Sequence, residues 1–441
     1  MSVDIIPWVQ EHRAIVLCLW AVLIVARFGG RLWRFVKRPA GEGSSSADAS
    51  EKGALDTPKF EFPRFKPWPK PLSETPLIPY RPFRWGDYHV TMGIRTVSFD
   101  DWIELDQQYA HYHRLRSYRA EQRGSKLIGT LPASDVVPVS GFDAARELVL
   151  ELAEYLSRRY PQNYSVERHP VGASGEPGWY GEGRIHKITM LPPISVTYDL
   201  DKEDPMTVAG LLVQDDLALM LEGKDGVYYL RSGSILTAGF WRLEDKLGMS
   251  LDDIHLSGNV PQYQTKLKAS MNRFFARLTP DKLIQRNNYF FKLVNDPSSP
   301  AEERDPHELG WAEYMVGEED AFAPGRGLSD NTGEEAARGD PGPGQMRLRM
   351  ERQSLRRLPR TGAVCFTIRT YVVPLEELAR EPGVPGRAAS AIRSWPQDVA
   401  GYKNRDQYEQ YILPYLEECH RKQVEEGLLQ PDEKPPTDYP Y

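Results

Sequence analysis

Three cysteines in 441 residues, Cys18, Cys365 and Cys419, stand far apart with no Cys-x-x-Cys spacing. That excludes a disulfide scaffold and a cysteine-bound zinc or iron–sulfur centre, and it fits a reducing compartment. An excess of positive charge is also missing. The formal net charge is −7, whereas a nucleic-acid-binding domain would be clearly basic, so no nucleic-acid partner is expected. No phosphate-cradling loop is found. The glycine-rich stretch Val171 to Gly183 lacks both the third glycine and the preceding strand of a dinucleotide fingerprint. What the chain has in quantity is core-forming material, 40% apolar residues with 22 Tyr and 10 Trp, enough for one large domain with appendages.

One apolar run is long enough to matter to a membrane. Ala14 to Ala26 is uninterrupted, with Ile5, Ile6, Pro7 and Trp8 before it and Phe28, Leu32 and Trp33 after it. The run is shorter than the roughly 20 residues of a spanning helix, and snorkelling of Arg27 and Arg31 extends it. Basic residues Arg27, Arg31, Arg34, Lys37 and Arg38 follow the run while Asp4 and Glu11 precede it, the reverse of a cleavable signal peptide. The expectation is a single-pass anchor and basic flank over 1–39, with the body facing the cytosol, as at the endoplasmic reticulum. Residues 40–76 read as a linker, Gly/Ser-rich and then proline-stiffened, whose late aromatics Phe62, Phe65 and Trp68 dock on the body or on the membrane.

A domain over 77–428 follows, with a short tail over 429–441. Helices are expected from Ser98 to Leu115, from Asp143 to Tyr160, around Leu267 to Leu278 and from Arg405 to Val424, each by its apolar stripe. Ile194 to Tyr198, Val208 to Val213, Leu217 to Leu221 and Val227 to Leu230 read as strands of an antiparallel meander. Residues 296–345, rich in Asp, Glu, Pro and Gly, read as a surface insertion. Met346 to Leu358 reads as a basic helix and Ala363 to Val373 as a strand, with Val364, Phe366 and Ile368 on one face and Cys365, Thr367, Arg369 and Tyr371 on the other. Arg369 inside a strand calls for an anion, either a core carboxylate or a ligand's.

His255 closes a compact segment in which Trp241, Leu243, Leu247, Leu251 and Ile254 point inward and Glu244, Asp245 and Lys246 outward. On its residues alone it is either a core histidine or a ligand. Asp199 and Asp201 form an Asp-x-Asp after a strand, a pattern that can hold a metal bound to a sugar nucleotide, as in a membrane-anchored glycosyltransferase.

Three blocks carry a resemblance: Val213-Gln-Asp-Asp-Leu217; Trp241-Arg-Leu with Asp245-Lys, Gly248 and Ile254-His255; and Arg349 through Tyr371. Together they resemble the haem-dependent oxidative N-demethylase family, in its fungal-type, membrane-anchored form. The resemblance implies an α+β fold, an enlarged PAS-like antiparallel sheet with flanking helices around a haem b. It also implies a monooxygenase removing a methyl group from a secondary amine with O2 and electrons from a separate NAD(P)H-dependent reductase. A non-catalytic haem sensor on the same fold is the alternative. Within the matching blocks His255 becomes the candidate axial ligand, with His169 and His186 as substitutes and Cys365 as a thiolate option. Arg242, Arg352 and Arg369 become candidates for the haem propionates, and Asp215 and Asp216 for the amine, unless those acids only end a hairpin.

Overall fold

The computed structural model describes residues 60–173, 176–237, 241–293 and 342–429. The expected anchor at 1–39, most of the insertion and nearly all of the tail lie outside these residues. Among the described residues no helix is long and apolar enough to cross a membrane.

The organising hairpin pairs β9 (Met346–Arg357) with β10 (Val364–Pro374), antiparallel from Val364↔Arg357 to Pro374↔Arg347. Its turn needs Gly362, whose φ of 71° lies in the left-handed region. The other strands of this sheet are β1 (Arg95–Val97), β2 (Ile128–Thr130), β6 (Asp216–Glu222), β7 (Tyr228–Ser234) and β8 (Leu283–Leu293). The antiparallel sheet has the order β1-β8-β9-β10-β6-β7-β2. A second, three-stranded sheet is made of β3 (Tyr164–Arg168), β4 (Ile185–Met190) and β5 (Val196–Asp199). The architecture is therefore α+β, a large antiparallel sheet with flanking helices, as expected.

The period of two along each strand sorts side chains onto two faces. On one face Leu217, Leu219 and Cys365 pack with Leu148, Leu152 and Leu156 of the Gly141–Arg159 helix and with Met206 and Val208 of the Pro205–Leu212 helix. On the other, Ala218, Met220, Leu355 and Val364 meet Leu243, Leu251 and Phe275. A third cluster joins Leu348, Met350 and Tyr371 to Ile392 of the Val384–Arg393 helix and to Tyr408, Ile412 and Leu416 of the Arg405–Glu425 helix. The faces expected for β10 hold: Val364 and Phe366 lie on one side, Cys365 on the other.

Three expectations are corrected. Met346 to Leu358 is the strand β9, not a helix. Its Met, Leu, Arg and Glu favour helix, but Met346, Leu348 and Met350 alternate with Arg347, Arg349 and Glu351, and pairing with β8 and β10 on both sides decides the outcome. Val208 to Leu212 is helical rather than extended, because Asp204 caps the helix by accepting from the Thr207 N–H (2.8 Å) and Pro205 occupies its first turn. Ser98 caps only a 3-10 turn, Phe99–Asp101, and the helix begins at Tyr109 and runs to Arg123.

The end of the expected linker is packed on the body. The Phe62 ring stacks on Trp179 at 4.3 Å, Phe65 sits edge-on to Tyr155 at 5.2 Å, and the Trp68 N–H donates to the Arg159 carbonyl (2.6 Å). Burial of these rings anchors the segment by the hydrophobic effect.

Candidate functional site

Residues 241–277 form a cover over one face of the large sheet. Backbone hydrogen bonds pin its start to β7: the Gly248 N–H donates to the Leu230 carbonyl (2.8 Å) and the Leu230 N–H to the Met249 carbonyl (3.0 Å). Gly248 has a φ of 92°, which a side chain would resist. Ser250 then caps the Leu251–Ser257 helix by accepting from the Asp253 N–H (3.1 Å). A π-helical turn, Tyr263–Leu267, leads into the Lys268–Arg277 helix.

Between cover and sheet lies a cavity of about 940 Å³. Its walls are apolar: Met220, Leu230, Phe366 and Ile368 from the sheet, Trp241, Ile254, Met271 and Phe274 from the cover. A few polar groups converge on it, the usual composition of a small-molecule site. A second, smaller cavity of about 690 Å³ is lined by His113, Tyr198, Asp204 and Leu211. There burial pushes His113 down to about 4.

His255 lines the larger cavity. Its Nδ1 lies 2.7 Å from the Leu251 carbonyl oxygen. A carbonyl only accepts, so Nδ1 carries the proton and Nε2 presents a lone pair. Burial holds the imidazole below its usual range and hence neutral. The ring is stacked on Tyr263 at 4.8 Å and 9°, and the Tyr263 hydroxyl donates to Asp252 Oδ1 (2.5 Å). The imidazole is thus fixed in tautomer and in plane, as metal-ligating histidines are by their outer partners.

Cations line the same cavity. Arg286 of β8 donates to the Met92 carbonyl and to Gln353 Oε1, both at 2.9 Å, and burial lowers its pKa. Lys403 donates to the Tyr289 carbonyl and lies 4.4 Å from the Phe290 ring centre; burial pushes it down to about 7. Lys246 is 4% exposed and donates to Ser257 Oγ (2.6 Å), a correction to the outward position expected for it. Glu351 is the buried carboxylate on the sheet floor, paired with Arg349 at 2.8 Å and accepting from Gln353 Nε2.

The remaining expected site residues lie elsewhere. Arg352 and Arg369 are on the opposite face of the sheet. Alternation puts Glu351, Gln353, Phe366 and Ile368 toward the cavity, so Arg352 and Arg369 point away from it. Arg369 pairs with Asp106 (2.7 Å) and Arg352 with Glu104 (3.1 Å). Of the two anions considered for Arg369, the core carboxylate is the one present. Arg242 pairs with Asp245 at 2.6 Å and does not line the cavity. Asp216 is held by Arg116 and by the Leu236 and Thr237 N–H groups at 2.8–2.9 Å. Asp215 is fully buried near Arg369 and Arg352, and burial pushes it up to about 6. Neither acid lines the cavity. Cys365 is buried on the far face, where its thiol is pushed up to about 12, unlike a thiolate ligand. His169 and His186 come together on the small sheet, beside Asp199 and Asp201.

Arg286, Lys246, Lys403 and Glu351 were not expected at the site. For Arg286 a signal was available: Leu283 to Leu293 places an arginine within a strand rich in aromatics, the same argument that singled out Arg369. Nothing local marks Lys403, which the fold of the C-terminal helices brings in.

A sheet floor, a helical cover and, between them, a largely apolar cavity lined by one histidine make up the candidate site of this α+β domain. The family described as haem-dependent oxidative N-demethylase, alpha subunit-like, matches residues 93–413, and the chain belongs to it.

Proposed function

We propose that this chain is a haem b monooxygenase that removes an N-methyl group from a secondary amine, releasing the shortened amine, formaldehyde and water. The observation that carries the reading is His255: it lines the cavity, half-buried and neutral, with Nδ1 committed to the Leu251 carbonyl and Nε2 left with its lone pair. The residues fit the group. His255 Nε2 would hold the iron, and Arg286, Lys403 and Lys246 supply cations for two propionates. The apolar part of the wall suits a macrocycle, and a large antiparallel sheet with flanking helices is consistent with the enlarged PAS-like domain expected for it. When bound, the haem supplies the activation of dioxygen.

Glu351, ion-paired with Arg349 at the cavity floor, offers the carboxylate suited to a protonated amine. The two electrons would come from a separate NAD(P)H-dependent reductase, since the sequence has no cluster-binding cysteine spacing. The run Ala14 to Ala26 supports a single-pass anchor with the domain in the cytosol, beside membrane-bound reductases.

The test is the full chain expressed with haem supplied, followed by its visible spectrum and by formaldehyde release from a secondary methylamine with a reductase and NAD(P)H. One haem per chain and formaldehyde in step with oxygen use support the reading. Folded protein without haem overturns it. Haem bound without turnover turns the reading to a haem sensor.

A further inference from the structure

The small sheet brings His169, His186 and Asp201 to one point, far along the chain from the cavity residues. His169 Nε2 lies 2.7 Å from Asp201 Oδ2, and His186 Nε2 lies 3.8 Å from the same oxygen and 3.5 Å from Asp199 Oδ1. One donor atom from each of His169, His186 and Asp201 falls within 4.8 Å of the others. A tetrahedral site with bonds of about 2.0–2.1 Å has edges of about 3.3 Å, inside the range these donors already span.

The backbone holds the donors in place. The His169 N–H donates to the Arg184 carbonyl (2.9 Å) and the Leu200 N–H to the His186 carbonyl (2.9 Å), so the end of β3, β4 and the turn after β5 are tied together beneath the site. Gly183 permits this approach: a Cβ there would sit 1.8 Å from the His169 carbonyl oxygen. Arg184 takes the other carboxylate oxygen of Asp201, at 2.5 Å, and leaves Oδ2 toward the imidazoles. An outer partner of this kind orients a ligating carboxylate. Asp199 lies beside the three donors, its Oδ1 accepting from the Asp201 N–H (3.1 Å) and its Oδ2 paired with Lys202 (2.8 Å).

We propose that His169, His186 and Asp201 bind one divalent transition-metal ion that clamps the strands of the small sheet. Two imidazoles with carboxylate oxygen select an ion of the zinc or iron(II) class over magnesium or calcium, which take all-oxygen sets. The side chains are about a quarter to a third exposed (27% for His169, 30% for His186 and Asp201), so the ion reaches the site from solvent. The proposal is independent of haem, because these residues belong to a different sheet from the cavity.

The probe is zinc chloride, titrated into full-length, haem-supplied protein previously dialysed against a chelator, with competition by a chromophoric chelator and metal counting after desalting. One zinc per chain is expected. His169→Ala and His186→Ala should each weaken binding by about 100-fold while the visible spectrum and far-ultraviolet dichroism stay unchanged. Should an alanine variant fail to fold, the zinc absorption edge of the wild-type protein gives the same reading: two imidazole nitrogens and one or two carboxylate oxygens, with no sulfur. Wild-type protein that retains no stoichiometric zinc overturns the proposal. So does zinc held equally well by the His169→Ala/His186→Ala double variant, or an edge spectrum without imidazole.

Discussion

His255 donates its Nδ1 proton to the carbonyl of Leu251, 2.7 Å away and one turn back in the same short helix. The bond has two effects. It satisfies a half-buried donor, and it fixes which nitrogen remains free for a ligand.

His255→Ala should therefore abolish stoichiometric haem binding and leave the fold intact. Removing the imidazole from a cavity wall enlarges an existing space without opening a new void in the core. The Soret band per chain and thermal unfolding check this, and imidazole added to the buffer should restore part of the band. A band unchanged in shape and stoichiometry would move the ligand elsewhere.

Arg369→Met and Arg286→Met should fail in different ways. Arg369 is buried against Asp106 on the far face, and breaking a buried pair costs about 3–5 kcal/mol. Its variant should be much less stable with the haem spectrum of its folded fraction unchanged. Arg286 lies on the cavity, and its variant should lose roughly tenfold or more in haem affinity, the equivalent of a charged hydrogen bond. Denaturant unfolding and haem titration on both variants separate the two roles. Equal haem affinity in the two would argue against a propionate contact at Arg286.

Asp215 makes stability depend on pH. Its folded value, pushed up to about 6 by burial, lies above the ordinary 3.8. The folded state therefore holds the proton more tightly, and this contribution is complete below about pH 4 and lost as pH rises through 6. At about 1.4 kcal/mol per unit the loss is on the order of 2–3 kcal/mol. Asp215→Asn should flatten this part of the stability curve, gaining on the wild type between pH 4 and 7. Parallel curves for the two proteins would contradict the assignment.

Shortening the chain from its N-terminus should show a step between residues 59 and 76. Phe62 and Phe65 contact Trp179 and Tyr155, and fully burying such rings contributes roughly 1.5–3 kcal/mol each, less for these half-buried ones. A chain starting at residue 60 should keep the stability of the full domain, and one starting at residue 77 should lose roughly 3 kcal/mol or more. Equal melting temperatures would show that the segment packs without stabilising.

Local patterns were enough for much of this protein. The stripes of the Gly141–Arg159, Lys268–Arg277 and Arg405–Glu425 helices, the alternation of β10 and the hairpin of β6 with β7 are properties of a few consecutive residues. Such properties survive in any environment that offers an apolar side. His255 was singled out in the same way, as a histidine set among apolar anchors. Strand identity was less legible: β9 is built of helix-favouring residues and is extended because strands lie on both sides of it.

Which arginine is structural and which lines the cavity could be decided only in three dimensions. Arg286 and Arg369 are both arginines in apolar strands, and what separates them is the face of the sheet and the partner across it. Asp106 stands 263 positions from Arg369 and Lys403 stands 114 from Tyr289. The sequence by itself determined the helices with a clear apolar stripe and the two faces of β10, and it marked out the candidate histidine. The cavity, its cations and the convergence of His169, His186 and Asp201 arise from long-range packing, where burial makes each unpaired charge too costly to leave without a partner.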